Sequence, residues 1–463
     1  MTNTQNFKNN AARDLKDPKL QNALLGLRQS FKKHRHVKKD LGQSYQDLRD
    51  EATKIKTHTL EHLDFYLERF EENAIASGAQ VHWALDAEEA KEIIIEICEN
   101  VGAKRITKGK SMLTEEIHLN PALEAKGYEV TETDLGEYII QLRKENPSHI
   151  LGPALHLTRD EVGETFHEHH VKYGKLDYSN DPVTLQLEAR EIIREKFLNA
   201  DVGITGGNFC IAETGSTMIV TNEGNGDLTQ NLPKVHIAVS SIEKMVPTLE
   251  DCTTMIRALT RAATAQEISV YNTFSTGPRR EGDLGGPEAF HIILLDNGRS
   301  EMINSDYHEL LRCIRCGACL NNCPVYTNIG GHAYGATYMG PMGAVWTPKL
   351  IGLRHSQHLP NASTFCGACE EVCPVKIPLP KLMRQLRVEE NDQKLSPASQ
   401  RCGMTLFTFI SMRPKLYRFL MRAFGKLFGG SSKFKSLPLI SRWTKTREFP
   451  TPSKKTFLDM WKE

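Results

Sequence analysis

The spacing of apolar residues changes along this chain, and each change marks a different kind of structure. In the first 70 or so residues Leu20, Leu24, Leu25 and Leu27, then Leu60, Leu63, Tyr66, Leu67 and Phe70, recur at helical intervals in an otherwise polar background. A helical arm is expected over 1–72, with the basic run Lys32-Lys33-His34-Arg35-His36-Val37-Lys38-Lys39 as a solvated face.

From 73 to 297 short apolar runs alternate with helical patterns. Gln80-Val81-His82-Trp83-Ala84-Leu85, Arg105-Ile106-Thr107, Gly127-Tyr128-Glu129-Val130, Val202-Gly203-Ile204-Thr205, Met218-Ile219-Val220-Thr221, Val235-His236-Ile237-Ala238-Val239 and His291-Ile292-Ile293-Leu294-Leu295 read as strands. Ala87 to Val101 reads as a helix with Ile93, Ile94, Ile97 and Val101 on one face; Thr184 to Phe197 and Met245 to Ala263 read as two more. Such alternation predicts an α/β domain with a largely parallel sheet. From 298 to 400 the chain turns Gly- and aromatic-rich, as in Gly330-Gly331-His332-Ala333-Tyr334-Gly335, which suits short helices around an inorganic core better than a sheet. From 401 to 463 it is basic.

That third stretch holds seven of the eleven cysteines. Cys313-Ile-Arg-Cys316-Gly-Ala-Cys319-Leu-Asn-Asn-Cys323-Pro324 is the C-x2-C-x2-C-x3-C-P run of bacterial-type ferredoxins. In that pattern the first three thiolates wrap one cubane cluster, and the fourth, at a helix start marked by Pro, reaches the other. Cys313, Cys316 and Cys319 are therefore expected to hold a first [4Fe-4S] cluster completed by Cys373, and Cys323, Cys366 and Cys369 to hold a second. The second run, Cys366-Gly-Ala-Cys369-Glu-Glu-Val-Cys373-Pro374, is one thiolate short, because Ser363 stands where its first cysteine belongs. The second cluster could be a three-iron form, or its fourth iron could be held by Ser363, by Cys402, by water, or by a substrate's or partner's ligand. The reading adopted is a four-iron cluster with a non-cysteine or external ligand. Zinc sites close at four ligands and do not need a ferredoxin register, so zinc is disfavoured. Cys98, Cys210 and Cys252, in apolar surroundings, are expected to be buried and inert.

Composition narrows the class. The chain has 463 residues, 40% of them hydrophobic and 25% charged, and a net charge of +1, so several cores are affordable and nucleic acid is not an expected partner. The polar N-terminus shows no secretory pattern and no apolar run is long enough to span a bilayer. A reducing cytoplasm is the expected compartment, since clustered thiolates persist there. The charge is uneven: 401–463 carries fourteen Lys and Arg against three acidic residues, a net +11, leaving −10 on the first 400 residues. Lys415, Arg418, Arg422 and Lys426 interleave with Leu416, Phe419, Leu420, Phe424, Leu427 and Phe428 before Gly429-Gly430. The 414–428 segment is thus a basic amphipathic helix, fit for the inner face of an anionic membrane, for an acidic partner, or for packing on the chain's own acidic body.

Within the α/β segment, Gly203 to Thr217 ends a strand in a Gly-rich turn. Amides of Gly206, Gly207 and Asn208 could hold a carboxylate; the alternative is a plain turn and a hairpin closed by Asn222-Glu223-Gly224-Asn225-Gly226. No G-x-G-x-x-G is present there, so neither flavin nor nicotinamide is indicated and no catalytic residue is assigned. Glu213 is a candidate carboxylate. His167, His169 and His170 are expected as exposed loop histidines rather than metal ligands.

The order of parts resembles the lactate utilization protein B (LutB) family. The resemblance spans nearly the whole chain and rests on Ala212-Glu213-Thr214-Gly215-Ser216, on both cysteine runs, including Val372-Cys373-Pro374-Val375-Lys376-Ile377-Pro378, and on the basic extension. It implies a LUD domain, similar in fold to the NagB/RpiA/CoA-transferase group, followed by an α-helical ferredoxin domain with seven cysteines. It also implies a role in oxidising L-lactate to pyruvate beside proteins A and C of the same system and an electron acceptor. On this reading the chain relays electrons and is not catalytic alone. Two other readings are an electron-transfer subunit of another dehydrogenase or quinone-linked reductase, and an acyl- or CoA-transferase using Glu213 as nucleophile.

Overall fold

The computed structural model describes residues 4–26, 28, 42–430 and 450–461. Leu27, the basic run at 32–39 and the tail at 431–449 lie outside the described residues. The chain forms two compact units, Met1–Val388 and Glu389–Glu463. The α/β and cysteine-rich segments share the first.

Among the described residues ten strands are present: β1 Gln80–Ala84, β2 Arg105–Lys108, β3 Glu129–Glu132, β4 Val202–Gly206, β5 Phe209–Ile211, β6 Ser216–Thr221, β7 Val235–Ser241, β8 Met245–Val246, β9 Tyr271–Ser275 and β10 Ala289–Leu295. Six form a parallel sheet in the order β1-β10-β7-β4-β2-β3. The central strands β10, β7 and β4 are buried almost throughout because helices cover both faces there. Successive side chains alternate, so Ile293 and Leu295 join Ile237, Val239 and Ile204 on one face, under the helix Ala87–Asn100. Phe290, Ile292 and Leu294 join Ala238 on the other, under the helix Leu63–Ala76. Asp86, Asp181 and Thr248 cap the helices Ala87–Asn100, Pro182–Leu198 and Leu249–Thr264 by accepting backbone N–H groups of the first turn.

The structure departs from the sequence reading at several points. The buried face of Ala87–Asn100 is Ala90, Ile94, Ile97 and Cys98; Val101 lies past the helix end and is 47% exposed. Met218-Ile219-Val220-Thr221 belongs to a second sheet, β8-β5-β6-β9, where β6 runs antiparallel to β5 and β9. The four residues Ala212-Glu213-Thr214-Gly215 join β5 to β6, too few for a parallel crossover, and Gly215 takes φ +63° there. The hairpin therefore closes at Gly215, and Asn222–Gly226 leads instead into the helix Asn225–Asn231. The helix expected from Met245 begins only at Leu249, because Met245–Val246 pairs with β5 and Pro247 follows.

In this parallel sheet the chain passes from β2 outward to β3, then returns to β4 on the other side of β2. The switch point therefore falls between the carboxyl ends of β2 and β4, the place where open α/β sheets form a crevice.

The cysteine-rich segment folds as short helices, among them Ala318–Asn321, Tyr326–Ile329, Gly340–Ile351, Ala368–Glu371 and Leu379–Asp392. The N-terminal residues brace it: Phe7 meets Tyr334 edge-on with ring centres 5.4 Å apart, and Gln21 Nε2 donates to the Asn328 carbonyl at 2.8 Å. The helix Gly42–Glu61 bridges both segments. Its Arg49 donates to the Cys373 carbonyl through Nε (3.0 Å) and Nη2 (2.8 Å), and its buried Lys56 donates to the carbonyls of Glu243 and Met245.

Candidate functional site

The two cysteine runs repeat one local conformation. Arg315 and Phe365, each just before a Cys-Gly-Ala-Cys, have φ of +59° and +53°. Gly317 and Gly367 follow at +71° and +79°, and each opens a four-residue helix, Ala318–Asn321 or Ala368–Glu371. Two left-handed residues in three turn the backbone tightly, so neighbouring thiols converge; glycine takes the second position at no steric cost. Cys313, Cys316, Cys319 and Cys373 line one small cavity with Ile150, Ile314, Met342, Val375, Ile377 and Leu379. Burial, then the nearby Cys316, Cys313 and Cys373, hold the Cys319 thiol well above its ordinary value. Cys323, Cys366 and Cys369 form the other group: burial first, then Cys323 and Cys366, push Cys369 up to about 12. Backbone N–H groups reach sulfur, as from Ile377 to Cys373 Sγ at 3.4 Å. These donor sets, apolar walls and amide contacts fit iron–sulfur clusters.

Beside the first group lies a buried charge network. Arg299 Nη2 is 2.9 Å from Glu116 Oε2, and its Nε is 2.8 Å from Glu243 Oε2. Arg315 Nη2 approaches Glu243 Oε1 at 3.4 Å, while its guanidinium stacks over Trp346 at 3.8 Å. Tyr338 donates to Glu116 Oε2 at 2.6 Å. Burial alone would raise the Glu243 pKa, but Arg299, Arg315 and Lys244 hold it down to about 2. A pair this deep stands only because each charge has several partners.

A cavity of about 380 Å³ opens at the carboxyl ends of β2 and β4. Gly109–Leu113 after β2, Gly206-Gly207-Asn208 after β4 and Ser241 at the end of β7 line it, together with Lys110, Lys244, Arg315 and Tyr338. The cysteine run thus contributes Arg315 to a cavity of the α/β domain, and the two parts share one wall.

Residues 67–295 match the LUD domain family, 309–377 the 4Fe-4S dicluster domain and 383–463 the C-terminal domain of lactate utilisation protein B. Lactate utilization protein B of Geobacillus kaustophilus is 47% identical over 425 residues, covering 90% of this chain and 88% of that protein. That of Bacillus velezensis is 42% identical over 470 residues, covering 99% and 97%. The chain belongs to the lactate utilization protein B family. A crystal structure of a DUF162 family protein from Deinococcus radiodurans aligns with 50% of this chain and 98% of its own length, at 15% identity and a TM-score of 0.30.

In this member of the lactate utilization protein B family, Glu213 is exposed on the β5–β6 turn, accepts the Leu249 N–H at 3.0 Å, and does not line the cavity. Its carboxylate closes the start of the helix Leu249–Thr264. Of the three histidines expected in an exposed loop, His167 and His169 lie on the helix Arg159–His169, and only His167 is fully exposed. His170 is buried, with Nδ1 2.6 Å from Glu188 and Nε2 3.1 Å from the Tyr138 hydroxyl. Apolar surroundings from both flanks draw it inward. Cys98, Cys210 and Cys252 are buried, and burial raises each thiol to about 12. Ser363 Oγ accepts the Phe365 N–H at 3.1 Å, and Cys402 is exposed in the second unit.

Sequence reasoning missed Glu116, Glu243, Lys244, Arg299 and Trp346; only the position of Arg315 inside a cysteine run carried a signal. It also missed Glu145, His156 and His332, whose ligand atoms lie within 4.8 Å of one another. Their nitrogens already engage protein atoms, His156 with Glu145 (2.7 Å) and Ser148 (2.9 Å), His332 with the Asn146 carbonyl (2.7 Å).

Proposed function

We propose that this chain is an iron–sulfur electron-transfer subunit of a system that oxidises L-lactate to pyruvate, working with other subunits (proteins A and C) and an electron acceptor in the reducing cytoplasm. The observation that carries this is the gathering of seven cysteines into two adjoining groups. Cys313, Cys316, Cys319 and Cys373 would hold one [4Fe-4S] cluster. Cys323, Cys366 and Cys369 would hold the second, with a fourth ligand that is not cysteine. Bound clusters supply one-electron acceptor and donor capacity, which suits a reaction releasing two electrons and two protons.

The chain's own residues set the conditions. Apolar side chains such as Ile150, Met342 and Val375 keep water from the first group. Arg49 fixes the Cys373 carbonyl, and Arg315 brings positive charge beside thiolates that would otherwise repel an added electron. The parallel sheet supports a kinship with the NagB/RpiA/CoA-transferase group. The resemblance to lactate utilization protein B supports the substrate, and the basic apolar helix Pro414–Phe428 supports a peripheral contact with the membrane surface.

Anaerobic reconstitution tests the reading. The wild type should bind about eight irons per chain, or about seven if the second cluster is a three-iron form. C313A should remove the first cluster's electron paramagnetic resonance signal and C366A the second's. Zinc in place of iron, or loss of the same signal in both variants, would overturn the assignment. Lactate turnover by the cluster-loaded chain alone with an artificial acceptor would overturn the relay role.

A further inference from the structure

We propose that the cavity between the ends of β2 and β4 binds an organic acid by its carboxylate, and that its occupancy is felt at the first cysteine group through Arg315. Lys244 is 8% exposed and lines the cavity; it feels the charge of Glu243 through space but has no hydrogen bond or ion pair with the described residues. An ammonium so placed lacks the water that would otherwise solvate it. Arg315, its side chain 9% exposed, lines the same cavity, and its Nη1 is buried without a hydrogen-bond partner among the described residues. Two buried cationic groups with free donors on one cavity call for an anionic oxygen pair.

Of the other charges around the cavity, Lys110 and Asp134 are held by neighbours. Lys110 donates to the Leu151 carbonyl and lies 3.7 Å from Glu137. Asp134 accepts the N–H groups of Gly136 and Glu137. Glu223 also lines it but is exposed, so solvent screens its charge. The remaining wall, including Ile150, Leu151, Ile219 and Leu259, is apolar and suits a carbon body. Asn208 is fixed by accepting the Val220 N–H at 2.8 Å, leaving its amide nitrogen for the ligand.

The link to the cysteines is covalent and short. Arg315 lies between Cys313 and Cys316, and its guanidinium is held by Trp346, Tyr338 and Glu243. A carboxylate drawn to Arg315 adds negative charge beside the first group, which disfavours adding an electron there. Occupancy therefore lowers the reduction potential of a cluster held by those cysteines. This coupling rests on the ligand assignment proposed above; the binding does not.

Calorimetry on the full, cluster-loaded chain tests binding, with L-lactate, pyruvate and inorganic phosphate as probes. Lactate or pyruvate should bind. K244Q should weaken binding at least about ten-fold, the cost of one charge-assisted hydrogen bond, and K244R should restore much of it. N208D keeps the acceptor for Val220 and adds a negative charge, so it should weaken binding comparably even if K244Q fails to fold. No carboxylate binding, binding of phosphate alone, or N208D binding like the wild type would each overturn the site. Redox titration reads the coupling: saturating ligand should lower the first cluster's potential in the wild type and not in N208D. Binding without that shift would overturn the coupling alone. Binding to a chain that assembles no cluster would retain the site and refute the electron-transfer reading.

Discussion

His236 on β7 is buried with its ring stacked on Phe290 at 4.8 Å, and Nε2 lies 2.8 Å from Thr205 Oγ1. Burial, with His291 nearby, lowers its pKa to about 3; burial also lowers His149 and His291 to about 4. The unfolded chain takes up a proton on each near pH 6.5, whereas the folded chain refuses it until near 4 or below. Between those limits the unfolded state binds more protons, so stability rises with pH and falls as pH drops. Each histidine contributes on the order of 1–3 kcal/mol across that window. Urea unfolding from pH 4.5 to 7.5 should show that slope, and H236Q should flatten it only in part, since burial also lowers His82, His118, His170 and His332; an unchanged slope in H236Q would refute the assignment to His236. At this scale the cysteines were legible because their spacing is itself the motif. The charge network was not, because Glu116, Glu243, Arg299, Arg315 and Tyr338 come from distant segments and no local pattern marks a salt bridge assembled by the fold.

Among the elements, the helix Gly42–Glu61 ties the arm to the cysteine-rich segment through two residues of very different weight. Arg49 is buried and gives two hydrogen bonds to the Cys373 carbonyl, whereas its neighbour Asp50 pairs with Lys376 at the surface. R49L should leave that carbonyl unsatisfied, lower stability by about 2–3 kcal/mol, and speed loss of iron from the first cluster. D50N should change neither measurably, since an exposed pair is screened by solvent. Equal thermal melting and iron retention in both variants would contradict this division. The central strands β7 and β10 of the parallel sheet were readable from their apolar runs. One assignment failed where pairing outweighed periodicity: Met245 and Val246 continue a helical pattern, yet the backbone partner offered by β5 and the break at Pro247 make them a strand. The helical arm was readable too, but not its task, since Arg49 looks like any solvated charge until Cys373 is placed beside it.

Across the whole molecule charge is segregated, with +11 on 401–463 and −10 on the rest. Within the second unit the helices Ala398–Ser411 and Pro414–Phe428 present apolar side chains to solvent: Phe407, Phe409, Phe419 at 68% and Leu427 at 75% exposure. Arg422 pairs with Asp459, whereas Lys415, Arg418 and Lys426 have no ion pair among the described residues. No described helix is long and apolar enough to cross a membrane. Aromatic and aliphatic residues beside lysines and arginines match an anionic lipid surface, where apolar insertion and headgroup attraction add. The cluster-loaded chain should therefore co-sediment with vesicles containing phosphatidylglycerol, and less with neutral ones. The binding should weaken as salt rises, because about 1 kcal/mol per basic residue is electrostatic. F419S/L427S should release the chain from vesicles while leaving its iron content unchanged, since both residues lie outside the unit that carries the cysteine runs. Equal sedimentation of wild type and variant, or no preference between the two vesicles, would remove the membrane contact and leave an acidic protein partner as the surface these residues meet.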